Sequence, residues 1–347
     1  MLYDFTYFFF IVSVAVILAK DQTPSTPVDK EAKSVRETSS QEVRGYFKKE
    51  HSLNKPYQGT GMNMAEWDIV GSTVVSNQYI RLTGDVQSRQ GGLWNNVPVR
   101  SKDWELLVNF KVHGSKGDLF GDGLAIWYTQ SRGELGSVFG SKDYFRGLSV
   151  FLDTYSNHNG PHSHTHPYIT AMVNNGTLHY DHDKDGTHTQ LGGEHTGCEA
   201  KFRNKDHDTQ ILIRYVANTI SIFIDVKGIG MWEECLIVDG VKLPTGYYFG
   251  ITAATGDLSD NHDIISIKMF EQEFDRGSIN TDFDSIEPAA EFSVSPRDHI
   301  DTPRPSKLGW FGTILLLIIA TIIIVSVLGF GIVFIQQRQE RLRKRFY

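Results

Sequence analysis

The segment DTYSNHNGPHSHTHPY, Asp153 to Tyr168, follows the apolar run GLSVFL and crowds an aspartate, two asparagines and four histidines into one loop. Asp153, Tyr155 and Asn157 are spaced two apart. A bend just past a strand end turns a carboxylate, a backbone carbonyl and an amide oxygen of that spacing toward one point. These are hard oxygen donors, which suit calcium rather than zinc. A second polar cluster, DHDKDG at Asp181 to Gly186, also follows a strand-like run and offers Asp185 to close the cage. The histidines His158, His162, His164 and His166 raise the alternative of zinc. Their spacing in a Gly/Pro loop fixes no common face, and zinc wants three or four convergent N or S ligands. A solvated polar loop without metal is a third reading, and the residues alone leave it open.

Two further clusters stand out. LFGDGLAIWY sets Asp122 between Gly121 and Gly123 at the start of an apolar strand. Glycine permits unusual backbone geometry and leaves room for a ligand; a plain turn aspartate fits the same pattern. ATGDLSD holds Gly256 and Asp257, whose backbone N–H groups could face a ligand.

The elements that must position these clusters read as strands. STVVSNQYIRL and DWELLVNFKVHG alternate apolar and polar residues, and GLAIWYTQ, YITAMVNNG, ILIRYVANTISIFIDVKG, YYFGITAATG and DIISIKMFEQE follow. They are rich in Val, Ile, Tyr and Phe and are punctuated by Gly, Asn and Asp. Ala217-Asn218 reads as a hairpin turn, since Asn tolerates the left-handed region. No helix of ordinary length carries an apolar stripe here. Many short strands without an internal breaker predict one large antiparallel sandwich or barrel. The net charge of −7 argues against nucleic acid as the main partner.

Two apolar segments flank this region. YFFFIVSVAVILA near the N-terminus reads as a signal peptide over residues 1–19, although it has Asp4 and no basic residue before it. An uncleaved anchor is the alternative. Residues 308–335 are free of charge and long enough to cross a bilayer of about 30 Å. Arg338, Arg341, Arg343, Lys344 and Arg345 follow, so the tail 336–347 is cytosolic and everything before Leu308 is lumenal. That predicts a type I single-pass membrane protein. Residues 20–43 read as a disordered leader and 276–307 as an extended, Pro-broken stalk. The two cysteines, Cys198 and Cys235, lie in the lumenal part, where an oxidising compartment favours their pairing. Asn175-Gly176-Thr177 is a glycosylation acceptor.

The order GDGLAIWY, then a strand ending in DTYSN, then YDHDKDG, then TGDLSDNHD resembles the L-type (leguminous-type) lectins. WDIVGSTVV, IRLT and GGLWN extend the likeness over residues 44–275. Among L-type lectins the chain is most similar to the vesicular integral membrane lectins of the early secretory pathway. The resemblance implies a concanavalin-like jelly-roll β-sandwich, followed by the stalk and a single transmembrane helix. It implies that Asp122 accepts hydrogen bonds from two mannose hydroxyls, that Asn157 touches both calcium and sugar, and that His182 bonds the sugar. Calcium would be held by Asp153, the carbonyl of Tyr155, Asn157 and Asp185. Ser88 would add a peripheral contact, and Gly256, Asp257 and Leu258 would close the pocket through backbone groups.

The function so implied is a calcium-dependent lectin that binds high-mannose N-glycans on glycoprotein cargo and cycles between ER and Golgi. A stalk without heptads or cysteine predicts a monomer. Arg343, Lys344 and Arg345 resemble arginine-based retrieval signals, and Phe346-Tyr347 resembles an aromatic export signal read by vesicle coat proteins. A topology-setting charge cluster explains the basic residues alone. Two alternatives remain. One is a membrane adaptor with a lectin-like sandwich that has lost sugar binding. The other is a glycosidase of the same fold, which needs paired carboxylates as Glu-x-Asp-x-(x)-Glu. Glu66-Trp67-Asp68 begins that pattern, but Val70 and Gly71 stand where the last Glu belongs, so no enzyme activity is expected.

Overall fold

The computed structural model describes residues 45–58, 64–115, 117, 120–157, 164–274, 282–290 and 310–343. The signal peptide and leader expected over 1–43, His158, His162, most of the expected stalk and the tail residues Lys344 to Tyr347 lie outside the described residues.

The strands in chain order are β1 (Tyr46–Leu53), β2 (Trp67–Gly71), β3 (Val74–Val75), β4 (Ile80–Thr83), β5 (Arg89–Asn95), β6 (Trp104–His113), β7 (Gly123–Thr129), β8 (Arg146–Asp153) and β9 (Tyr168–Asn175). They continue as β10 (Cys198–Glu199), β11 (Thr209–Val216), β12 (Thr219–Asp225), β13 (Glu233–Val238), β14 (Val241–Lys242), β15 (Tyr248–Thr255), β16 (Asn261–Glu271) and β17 (Ala289–Ala290). One sheet has the order β13-β12-β11-β6-β16-β4-β3, with β1 also paired to β16. The other has the order β10-β9-β8-β7-β15-β5-β2. All of these pairs are antiparallel.

Side-chain alternation divides the apolar residues between two layers. On β7, Leu124, Ile126 and Tyr128 face the main core with Leu148, Val150 and Leu152 of β8. Ala125 and Trp127 point the other way, into a second cluster with Phe139, Phe145, Phe151 and Tyr180. The strands β7 and β8 are therefore buried on both faces, and they read in sequence as continuous apolar runs. By contrast β6 alternates buried and half-buried residues from Val108 onward, because its outer face meets solvent. Loops carrying Phe139, Phe145 and Tyr180 roof the outer face of the second sheet. Full burial of a side chain such as Phe151 stabilises by about 1.5–3 kcal/mol.

Ala217 and Asn218 link β11 to β12 with φ of 53° and 64°, the left-handed pair that a two-residue hairpin of the right twist requires. Cys198 on β10 and Cys235 on β13 form a disulfide. It joins the edge strand of one sheet to the edge strand of the other.

Residues 282–290 differ from the extended stalk expected there. Asp282 caps a short 3-10 turn at Phe283–Ser285, and β17 pairs with β14. Asp284 bonds Thr245 and pairs with Arg100 at 2.9 Å, and Lys102 lies over the Phe283 ring at 4.2 Å. The physical reason is backbone pairing to an available strand, which Ala289-Ala290 does not advertise. The helix α1 (Trp310–Arg343) forms a separate unit. It runs past residue 335, where the apolar segment stops, so Arg338 and Arg341 lie on it. Its apolar stretch Leu317–Arg338 has 22 residues, which at helical rise is about 33 Å. Thr321 and Ser326 donate back to the carbonyls of Ile318 and Ile322, which satisfies both hydroxyls without water.

Candidate functional site

Four loops distant in sequence meet at one end of the second sheet because of strand register. Gly123 pairs with Asp153 on β8 and with Ala254 on β15. Asp153 pairs with Tyr168 on β9, and Ala254 pairs with Gln90 on β5. One row across five strands therefore brings the starts of β5, β7 and β9 beside the ends of β8 and β15.

Asp122 sits just before β7, and the Gly121–Asp122 peptide is cis. Its N–H donates to the Ala254 carbonyl at 3.3 Å, and its carbonyl accepts from the Thr154 N–H at 2.9 Å. The backbone is thus tied to the loops on both sides. Burial, and then the charge of Asp257, pushes the Asp122 carboxyl up to about 6. The glycines around it are fitted to close approach. A Cβ at Gly121 would lie 3.3 Å from Cβ of Tyr155 and 3.4 Å from Cβ of Leu258. A Cβ at Gly256 would lie 3.0 Å from Oδ2 of Asp122.

The loop from β4 to β5 completes this side. The N–H of Ser88, which has φ 56°, donates to the Gly256 carbonyl at 3.0 Å. Gln87 donates from Nε2 to the Asp257 carbonyl at 2.6 Å, and Thr255 donates from Oγ1 to the Val86 carbonyl at 2.7 Å. Ser88, Asp122, Gly256, Asp257 and Leu258 therefore form one cluster, and two of the three carbonyls in the 256–258 segment are engaged by its neighbour.

Asp153 ends β8 and is buried. Burial raises its carboxyl well above the usual range, and the charges of Asp185 and Asp122 raise it further, against the hydrogen bond from Tyr155. Asp153 Oδ1 accepts from the Tyr155 N–H at 3.0 Å, and Asp185 Oδ1 accepts from the Asn157 N–H at 2.9 Å. Asp185 is buried, with φ 49°, at the end of a 3-10 turn, His182–Lys184, that Asp181 caps. Two buried carboxylates facing each other are costly without a cation, and the donors here are oxygens. The residues present fit a divalent ion.

His166 lies with these acids, its side chain 5% exposed and its Nε2 3.8 Å from both Asp153 Oδ2 and Asp185 Oδ2. Ligand atoms of Asp153, His166 and Asp185 all fall within 4.8 Å of one another. Spacing alone does not separate His166 from the other histidines of its loop. The available signal is register: His166 precedes Tyr168 by two, and Tyr168 pairs with Asp153. His164 instead stacks on the Tyr168 ring at 4.0 Å.

His182 packs between Tyr180 and Phe139, with ring centroids at 4.8 and 5.5 Å. Its Nε2 lies 2.9 Å from the Ser137 carbonyl, so that nitrogen carries the proton and Nδ1 of the neutral ring is an acceptor. Burial lowers its pKa. Asn175 ends β9 half-exposed, and its side-chain oxygen accepts from the N–H and hydroxyl of Thr177.

A family model described as the legume-like lectin family matches residues 44–278. The chain belongs to the legume-like lectin family. This lectin is 49% identical over 310 residues to the vesicular integral-membrane protein VIP36 of Canis lupus familiaris, covering 87% of this chain and 85% of that one. It is 47% identical over 306 residues to the human VIP36-like protein, with 87% and 86% covered. Human ERGIC-53 is 35% identical over 208 residues, 59% of this chain and 39% of that one. The crystal structure of the VIP36 exoplasmic/lumenal domain in its Ca2+/Man3GlcNAc-bound form matches at 50% identity and TM-score 0.66, covering 71% of this lectin and all of that chain. The antiparallel sandwich expected from the strand pattern, in the legume-lectin form that the resemblance implied, is therefore the fold of this chain.

Proposed function

We propose that this chain is a calcium-dependent lectin that binds mannose through Asp122, with high-mannose N-glycans on glycoproteins as its ligands. The observation that carries the reading is the Asp122 carboxylate, held by backbone bonds on both sides and backed by the buried Asp153–Asp185 pair. Relatives about half identical to this chain include one with a structure described as bound to Ca2+ and mannose, which supports the same chemistry here. Asp153, the Tyr155 carbonyl, Asn157 and Asp185 would hold calcium. Bound there, calcium supplies positive charge that fixes the loop and offsets the negative charge of the two buried acids.

The chain's own groups do the recognition. Asp122 accepts from sugar hydroxyls, and charge-assisted bonds of that kind are the stronger ones. Neutral His182 offers Nδ1 as an acceptor. Gly256 borders the Asp122 carboxylate and Asp257 lies near enough to act on its charge, while Ser88 bonds Gly256 and Leu258 lies against Gly121. Because the carboxylate is placed before the sugar arrives, less ordering is lost on binding. Retention on a mannose resin in calcium, release by chelator and no retention of Asp122→Asn are the expected results. Retention that survives chelator would contradict the calcium cage.

The domain plan extends the proposal. Residues 1–19 are a signal peptide, 20–43 a leader, 44–275 the lumenal lectin domain, 276–307 a connecting segment, 308–335 the span and 336–347 the cytosolic part. Calcium-dependent capture in the lumen and a basic, aromatic tail (Arg343 to Tyr347) together fit a cargo receptor cycling between ER and Golgi. Replacing Arg343, Lys344 and Arg345 by Ala is expected to shift the protein to the cell surface. An unchanged distribution would remove the tail from the account.

A further inference from the structure

Arg203 lies between β10 and β11, outside the loops assigned to calcium and sugar. Its backbone bridges to Val112 of β6, so it reaches the site end of the sandwich from the first sheet. Its side chain is buried and makes three different contacts. Nε and Nη2 donate to Asp260 Oδ2 and Oδ1 at 2.7 and 2.9 Å. Nη1 donates to the Gly117 carbonyl at 2.8 Å. The guanidinium carbon stands 4.1 Å from the centre of the Phe120 ring. A planar cation with a fork of donors makes all three contacts at once, and a lysine ammonium does not.

These partners sit on the two chain segments that carry the sugar-facing groups. Gly117 and Phe120 lead into the Gly121–Asp122 peptide, and Asp260 follows the 256–258 segment by two residues. At the front the two segments are already in contact: a Cβ at Gly121 would lie 3.4 Å from Cβ of Leu258, and one at Gly256 would lie 3.0 Å from Oδ2 of Asp122. At the back the guanidinium joins them. The Asp260 side chain is fully buried. Burial raises its carboxyl, against the bonds from Arg203. Releasing Arg203 would leave that carboxylate out of water without its counter-charge, so the pair holds the guanidinium in one place. A second tie runs beside it: Asp85 Oδ1 accepts from the Ser259 hydroxyl at 2.8 Å, and Oδ2 accepts from the Ser115 N–H at 3.0 Å.

We propose that Arg203 is a positioning residue for sugar binding. It sets the spacing between the segment ending in Asp122 and the segment 256–260, and so fixes where the Asp122 carboxylate stands against the 256–258 backbone. It acts through Phe120 and Asp260. The proposal rests on the mannose-lectin reading.

The test uses the full chain in detergent, titrated calorimetrically with calcium alone and then with a high-mannose oligosaccharide in saturating calcium. Arg203→Lys is expected to lower oligosaccharide affinity by about tenfold, with calcium affinity held within about twofold. Phe120→Leu leaves the Arg203–Asp260 pair whole and is expected to lower oligosaccharide affinity by about threefold. Both changes interrupt one connection, so the double variant is expected near the effect of Arg203→Lys alone and not at the roughly thirtyfold product. A merely structural role would lower the melting temperature and leave sugar affinity below the transition intact. Wild-type sugar affinity in folded Arg203→Lys overturns the proposal. So does a parallel fall in calcium affinity, or a double variant at the full product. If Arg203→Lys does not fold, Phe120→Leu decides alone, and unchanged affinity in that variant overturns the proposal. A wild type that binds no oligosaccharide in calcium removes the lectin reading and this proposal together; a wild type that binds, with variants that bind equally, removes this proposal alone.

Discussion

Gly256 lies so close to Asp122 that a single methyl group added to it would sit 3.0 Å from Oδ2 and 3.2 Å from Oδ1 of the carboxylate. The β15 loop thus forms one wall of the space the carboxylate occupies, and the absence of a side chain at 256 leaves that carboxylate room to face a ligand. Gly256→Ala is expected to displace the carboxylate and weaken sugar binding by about tenfold, or ~1.4 kcal/mol. The backbone at 256 is not in the left-handed region, so the fold tolerates alanine. Calorimetry and a melting curve on the same variant check both halves; unchanged affinity would show that Asp122 has room to spare.

Acidification is expected to weaken sugar binding through Asp122 first. Its carboxyl is raised to about 6 by burial and then by Asp257, and only the ionised form accepts two hydroxyl bonds. Acceptance is therefore complete at neutral pH and is lost as pH falls through the raised value. A bound divalent ion nearby draws the midpoint lower. The fold does not suffer from this group. A carboxyl whose native pKa is raised contributes stability as pH falls from about 6 toward its ordinary value, not as it rises. His182, lowered by burial, changes charge only on the acid side of its usual range. Titration between pH 7.5 and 5 at saturating calcium should show the decline in both wild type and His182→Gln. A decline abolished by that substitution would make the imidazole the sensor.

The Cys198–Cys235 bridge spans 37 residues and joins the two sheets at their edges. Its removal as a double Ala variant is expected to cost about 3–4 kcal/mol on the chain-entropy view. For a domain of this size that lowers the melting temperature by roughly 6–16 °C. Asp122 and Asp153 belong to other loops of the second sheet, so sugar affinity below the transition should hold. Equal melting temperatures with and without the bridge would show that sheet packing alone closes that edge.

Much of this molecule can be read from its residues, and the exceptions are instructive. Ala217-Asn218 between two alternating runs marks a hairpin because local backbone preference and strand twist agree there. The doubly buried β7 and β8 show as unbroken apolar runs, though the second, aromatic layer that buries their outer face is assembled from loops and leaves no periodic trace. The four site loops were recognisable in order, yet what gathers them is the register row through Gly123, Asp153 and Ala254, which is non-local. His166 could not be told from His164 by spacing: one faces two acids and the other stacks on Tyr168, a difference set by neighbouring strands. The pairing of Ala289-Ala290 with β14 is invisible for the same reason, since neither residue prefers a strand and the partner lies far away in the chain.

The central claim is that Asp122 binds sugar only when the acid pair behind it holds calcium. Calorimetric titration of the lumenal region with a high-mannose oligosaccharide tests it most directly, run in calcium, in chelator and with Asp122→Asn in calcium. The account predicts binding in the first condition and loss in both others, with the variant still folded. Binding that persists in chelator, or in Asp122→Asn, would contradict it.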